Sequence, residues 1–122
     1  MNLLEQFNSI KEHWSPKIVS SVNDQYVKIA KIKGTFVWHD HKDEDEMFYI
    51  IKGSMMLEFE SETIELKTGD FYVVAKGRLH RPSAKEECWL MLLEPKSTQH
   101  TGDVKTDKTK SIEQQLGQAE IQ

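Results

Sequence analysis

Cysteine is nearly absent. Cys88 stands alone, so no disulfide can form within the chain, and a reducing cytoplasm is the expected compartment. Long apolar runs are missing as well: no stretch approaches the roughly 18 residues that span a bilayer. The opening residues, MNLLEQFNSIKEHW, have neither the basic start nor the apolar run of a secretory signal. Positive charge is scarce and scattered. Sixteen Lys and Arg against 20 Asp and Glu leave a formal charge of −4, which speaks against nucleic acid as a partner. A phosphate loop, a Ser-His-Asp arrangement and a nicotinamide fingerprint are also missing. What is present is 122 residues, 30% charged and 38% apolar, enough for one core and not for two.

Two periodicities divide the chain. Over residues 2–14, Leu3, Phe7, Ile10 and Trp14 form one apolar stripe at helical spacing. Ser15-Pro16 then stops the helix, because proline disfavours helical geometry in the residue before it. Such a stripe needs cover, from the rest of the chain or from a second copy. From 17 to 94 the period becomes two. KIVSSV, QYVKIAKIK, TFVWHDH, EMFYIIK, SMMLEFE, TIELK, DFYVVA and CWLMLLE read as strands, with turn signals at Gly34, Gly53, Gly69 and Gly77. Short strands at such spacing predict an all-β sandwich or barrel. Met55, Leu57 and Phe59 alternate with Met56, Glu58 and Glu60, as in an antiparallel sheet with one wet side. After Pro95 the chain is polar; residues 96–122 read as a tail. Within it, Ser111 and Gln114 form a candidate capping box ahead of Ile112 and Leu116.

The chemistry concentrates in GTFVWHDHKDEDEMFYIIKG, residues 34–53. In a strand, His39 and His41 would leave the same face, roughly 6.6 Å apart along the chain. Glu46 shares a face with Phe48 and Ile50, so it points toward the interior. A buried carboxylate needs a partner, and a metal cation is one. His80 follows in GDFYVVAKGRLH. Imidazoles suit zinc, copper, iron and nickel, and a carboxylate extends the range to harder ions. The acidic run Asp40, Asp43, Glu44, Asp45 reads as a solvated loop that also raises the local cation concentration. His13 and His100 fit no such pattern and are expected at the surface. Cys88 is expected as a buried small apolar residue. Arg78 and Arg81 flank His80; the planar fork of arginine suits a clamp on a substrate carboxylate or phosphate.

These residues resemble the two motifs of the cupin superfamily. The first reads Gly34, His39-Asp40-His41, four residues, Glu46, six residues, Gly53. The second reads Gly69, five residues, Ala75-Lys76-Gly77, two residues, His80, three residues, Ala84. The spacer between Gly34 and His39 is four residues where five is usual, and Ala75 and Ala84 replace a proline and an asparagine of the pattern. The nearest likeness is to small single-domain cupins grouped with mannose-6-phosphate isomerases. The resemblance implies an antiparallel double-sheet β-barrel, or jelly roll, over residues 16–95, preceded by an N-terminal amphipathic helix over 1–15. It implies one divalent metal ion per chain (Fe, Mn, Zn, Ni or Cu) on His39, His41, Glu46 and His80. It also implies a homodimer and a small-molecule ligand, with no nucleic acid and no membrane as partners. The reactions admitted include those of dioxygenases, isomerases and epimerases. A non-catalytic cupin that binds a metal or small molecule is the alternative.

Overall fold

A computed structural model gives the fold and describes residues 1–102, 110–112 and 114–116. A short helix α1 (Leu3–Gln6) runs into a 3₁₀ turn (Phe7–Ser9). Seven strands follow: β1 (Lys17–Val22), β2 (Gln25–Thr35), β3 (Glu46–Lys52), β4 (Ser54–Phe59), β5 (Thr63–Lys67), β6 (Phe71–Val74) and β7 (His80–Pro95).

The helical stripe is shorter than its spacing predicts. The Gln6 carbonyl, which a continuing helix would give to Ile10, is taken by Lys17 Nζ and Ser9 Oγ at 3.2 Å each. Ile10 N–H turns back to Phe7 O instead. Trp14 lies beyond the helix with φ 60°, a left-handed conformation, and its indole N–H donates to Lys33 O. The stripe is covered by the barrel of the same chain. Phe7, Ile10 and Ile29 form a buried cluster with Ile51, Trp89 and Met91 against it, and Phe7 stacks on Trp89 at 4.8 Å.

All strand pairs are antiparallel, and the main sheet runs β1-β2-β7-β3-β6. Strand β7 serves both layers. Its first residues, His80–Ser83, pair with Phe59–Met56 of β4, and Trp89–Leu93 pair with β3. Between them the β2–β7 register slips, leaving Lys85, Glu86 and Glu87 exposed; a bulge of this kind lets one strand bend from one layer into the next. Strand β7 therefore starts at His80, eight residues before the CWLMLLE run that its apolar pattern marks. One continuous core fills the interior, with Ile32, Ile50, Met55, Leu57, Cys88 and Leu90 all buried. The predicted all-β, double-sheet cupin-type barrel with a small N-terminal helix is thus the observed architecture.

One predicted strand does not form. TFVWHDH is strand only as far as Thr35, where β2 ends. The following residues, 36–45, are irregular apart from a single bridge between His39 and His80. Phe36, not Val37, is the buried apolar residue there.

The described part of the tail packs against the barrel. Thr98, His100 and Thr101 are buried, and Ser97 Oγ donates to Glu44 Oε2 at 3.1 Å. Gly102 has φ +62° and passes so close to the Asp40 carbonyl that a Cβ would collide with it. The segment after Pro95 therefore lies against the His39–Asp40–His41 loop. Further on, the predicted capping box is formed: Gln114 N–H donates to Ser111 Oγ and Ser111 N–H to Gln114 Oε1. The residues 103–109, 113 and 117–122 of the predicted tail lie outside the described residues.

Candidate metal centre

Three separate segments deliver the candidate ligands. His39 and His41 come from the loop after β2, Glu46 opens β3, and His80 opens β7. The two bridging hydrogen bonds, His39 N–H to His80 O at 3.0 Å and His80 N–H to His39 O at 2.9 Å, fix that loop against β7. One ligand atom from each of the four side chains lies within 4.8 Å of the others, and all four residues are buried. The pair His39/His41 thus converges on one point without the regular strand that the spacing suggested. A backbone bridge to β7 supplies the orientation that a pleat would have given.

Hydrogen bonds set the rings. His39 Nδ1 bonds Val37 O at 2.9 Å and His80 Nδ1 bonds Arg78 O at 2.8 Å. Each carbonyl requires a proton on Nδ1, which leaves Nε2 as a lone pair; a metal-binding histidine is oriented in the same way. Among the described residues, His41 Nδ1 and Nε2, Glu46 Oε1 and His80 Nε2 are buried with no hydrogen-bond partner. His41 Nε2 and His80 Nε2 stand 3.4 and 3.5 Å from Glu46 Oε1. Buried polar atoms left so are costly, and a shared cation would satisfy all of them at once. The donor set of three imidazoles and one carboxylate therefore fits a divalent metal ion.

The same packing shifts the acid–base equilibria. Burial, reinforced by the neighbouring His80, pushes His39 down to about 4. Burial acts to lower His41 too, but Glu46, with Glu44 and Asp40 behind it, outweighs burial and raises it. Glu46 is opposed by its own burial, yet His41 and His80 hold it well below the carboxylate range. Glu46 thus stays ionised and His39 neutral at neutral pH, the forms in which both can ligate.

Behind Glu46 lies a charged pair that the sequence reading missed. Lys28 Nζ and Glu94 Oε1 are 2.7 Å apart and both side chains are fully buried. Burial and the adjacent Glu46 charge raise Glu94 well above the usual carboxylate range, against the pull of Lys28. A signal was available. Cys88, Leu90, Leu92 and Glu94 alternate on the inward face of β7, as Lys28, Ala30 and Ile32 do on β2. Lys28 faces Leu92 in register, so Glu94 is its diagonal neighbour.

His100 corrects its expected place. It is 6% exposed and lines a cavity of about 40 Å³ together with His39 and Glu46. The rest of the wall is apolar, including Trp14, Phe36, Phe48, Leu90 and Leu92. A polar residue outside every periodic segment carries no sequence signal for burial; only the return of the tail over the barrel buries it. His13 is exposed, with Nε2 2.8 Å from Glu87 Oε2. Arg78 and Arg81 do not line the cavity. Arg78 donates to Tyr72 Oη and Glu62 Oε2, and Arg81 to Glu58 Oε2 at 2.8 Å. Cys88 is buried, and burial pushes its thiol up to about 11, so it is no nucleophile at neutral pH.

These shifts predict an acid-labile apo fold. Burial, with the Lys28 charge added, lowers His100 to about 4, as burial lowers His39. Between pH 6.5 and 4 both rings are neutral when folded and protonated when unfolded. The unfolded state then binds more protons, so acid destabilises, by up to about 1.4 kcal/mol per pH unit for each ring. His41, raised, binds more proton folded than unfolded near the top of that window, and Glu94, raised by burial and by Glu46, does so above its ordinary value, so both oppose the slope of the two rings. Urea unfolding of the chelator-treated wild type beside His100→Leu at pH 6.5, 5.5 and 4.5 isolates the share of His100; an identical pH slope in the two would contradict its shift.

A two-layer antiparallel barrel with an inward-facing His, His, Glu, His cluster able to hold a metal ion is the architecture of a cupin. The chain belongs to the Cupin domain family (Cupin_2), whose pattern matches residues 25–94. It is 38% identical to the uncharacterised protein YdbB of Bacillus subtilis (strain 168) over 81 residues, 66% of this chain and 72% of that one. A crystal structure of a cupin-2 domain containing protein from Shewanella frigidimarina NCIMB 400 superposes with a TM-score of 0.78. It shares 41% identity, covering 79% of this chain and 94% of that one. Protein NMB1881 from Neisseria meningitidis superposes with a TM-score of 0.73 at 29% identity, covering 78% and 97%. Among the described residues, no helix is long and apolar enough to cross a membrane.

Proposed function

We propose that the chain is a mononuclear divalent-metal cupin enzyme acting on a small molecule, with His39, His41, Glu46 and His80 as the metal ligands. The observation that carries the reading is the set of unpartnered buried donor atoms converging beside a cavity that His39 and Glu46 also line. A metal held there supplies Lewis acidity toward a carbonyl or, when redox-active, chemistry with dioxygen. The chain's own residues then divide the work. The backbone carbonyls of Val37 and Arg78 hold two ligand rings in orientation. The apolar walls exclude water, which strengthens every charge interaction inside. Lys28 and Glu94, 2.7 Å apart, form a buried pair adjoining Glu46.

Dioxygenase and isomerase or epimerase chemistry are both compatible with this site. A metal-binding module without turnover is the alternative; Arg78 and Arg81, already paired with acids, then have no substrate to hold. The reading places the protein in the cytoplasm, as a homodimer. Its contact would be the outer face where Phe71 and Val73, 63% and 50% exposed, stand beside Tyr49 and Met47. Sedimentation at the monomer mass would remove the dimer. Oxygen uptake by the ferrous protein with a panel of small acids and phenols, beside an isomerase assay with zinc or manganese, tests the enzyme. Turnover that disappears with the metal is the expected result; metal binding without turnover on any substrate class favours the module.

A further inference from the structure

Three buried side chains stand in a row across neighbouring strands: Lys28 on β2, Glu94 on β7 and Glu46 on β3. Met47 pairs with Leu93, and the same antiparallel register, continued by one residue, sets Glu46 opposite Glu94. Lys28 pairs with Leu92 and reaches Glu94 diagonally, with Nζ 2.7 Å from Oε1. Glu94 therefore meets the Lys28 ammonium on one side. On the other it is in hydrogen-bond contact with the Glu46 carboxyl. A buried ion pair often gives no more stability than an apolar pair of similar volume. This one abuts a candidate metal ligand, whose orientation matters. Glu46 turns Oε1 toward His41 and His80, at 3.4 and 3.5 Å, and that oxygen has no hydrogen-bond partner. A carboxylate turns easily about its last torsion, so Oε1 keeps this direction only if something holds the other oxygen.

Resting on the metal-cupin reading, we propose that Glu94, itself held by Lys28, is a positioning residue for Glu46. Its carboxyl donates a hydrogen bond to the second Glu46 oxygen and so aims Oε1 at the ion. Partners of this kind commonly orient metal ligands, and losing one costs about 10- to 100-fold in metal affinity. Glu94 does not itself join the ion: among the described residues, the group placed to hold one is His39, His41, Glu46 and His80.

The test titrates cobalt(II) into the metal-free full chain against a chelating dye and records the visible spectrum of the bound ion. Removing Glu94 alone would strand the Lys28 charge, so the informative variant is Lys28→Met/Glu94→Leu. It is expected to bind cobalt roughly tenfold or more weakly than wild type, with shifted visible bands. Charge alone predicts no such loss, because an ammonium and an acid leave together. Glu94→Gln keeps an acceptor for Lys28 and a donor for Glu46, so its affinity and spectrum should match wild type. Urea unfolding of the metal-free forms separates positioning from folding: weaker cobalt binding at near-wild-type stability is the expected combination. Lys28→Met/Glu94→Met, with unbranched side chains at both positions, takes the place of the first double variant should that one not fold. Wild-type cobalt affinity and spectrum in a folded double variant overturn the proposal. A tenfold loss in Glu94→Gln does so too, since the donor alone would then not suffice. Failure of the wild type to take up cobalt is a distinct result: it overturns the metal reading, and this proposal with it.

Discussion

His41→Ala is expected to lower the affinity for a divalent ion by roughly a hundredfold or more, because even residues that merely support a ligand cost 10- to 100-fold. Elemental analysis should find close to one ion per wild-type chain and little in the variant after dialysis. His41 is the informative ligand to remove. Both of its ring nitrogens are buried with no hydrogen-bond partner among the described residues, its ion-pair contact is with Glu46 at 3.4 Å, and its backbone carbonyl, which accepts the Gly77 N–H, is kept in the variant. Without metal, that contact is what raises His41. The stability it lends is fully present below the ring's ordinary pKa and fades as pH rises through the raised one. With metal the order reverses: acid must displace the ion before the ring can be protonated, so binding weakens as pH falls below about 6. His13→Ala is the control, since His13 is exposed and far from the cluster in sequence and contacts. An unchanged ion content in His41→Ala, or full retention of metal at pH 4, would remove this histidine from the site.

Lys28→Met is expected to cost roughly 3–5 kcal/mol of folding stability at neutral pH, because it strands Glu94 in the core without its counter-charge. The pair is 2.7 Å apart and fully buried, which makes the loss larger than for any surface pair such as Lys67–Glu65. Glu94 is already raised by its burial and by Glu46, so in the variant it takes up a proton more readily still. The cost should therefore shrink as pH falls. The double variant Lys28→Met/Glu94→Leu should recover most of the loss, since a buried ion pair and an apolar pair of similar volume are often comparable in stability. Urea unfolding of the chelated protein measures both. A loss under about 1 kcal/mol for the single variant would mean that the pair is not desolvated as the fold places it. Repeating the measurement with metal separates the effect on folding from any effect on Glu46, which Glu94 adjoins.

Local pattern carried a large part of this reading. The period-two segments β3, β4 and β5 alternate in burial as their side chains do in the sequence, so Glu46, Phe48 and Ile50 were placed inside by parity alone. The capping box at Ser111 and Gln114 was legible for the same reason, since its partners are three residues apart. The four candidate ligands were visible because their spacing follows a known pattern. The regular strand assumed around His39 and His41 was not needed and does not exist.

The sequence by itself determined the elements whose partners are near in the chain: an all-β pattern, inward and outward faces, and the residue types for a metal. Tertiary structure alone decided what required distant segments to meet. The bridge from His39 to His80 closes the cluster, the bulge at Lys85–Glu87 lets β7 serve both layers, and the tail returns to bury His100. The physical reason is that burial is a property of the whole packed surface. A lysine, a glutamate or a histidine shows its environment only when the strands and loops that enclose it are in place.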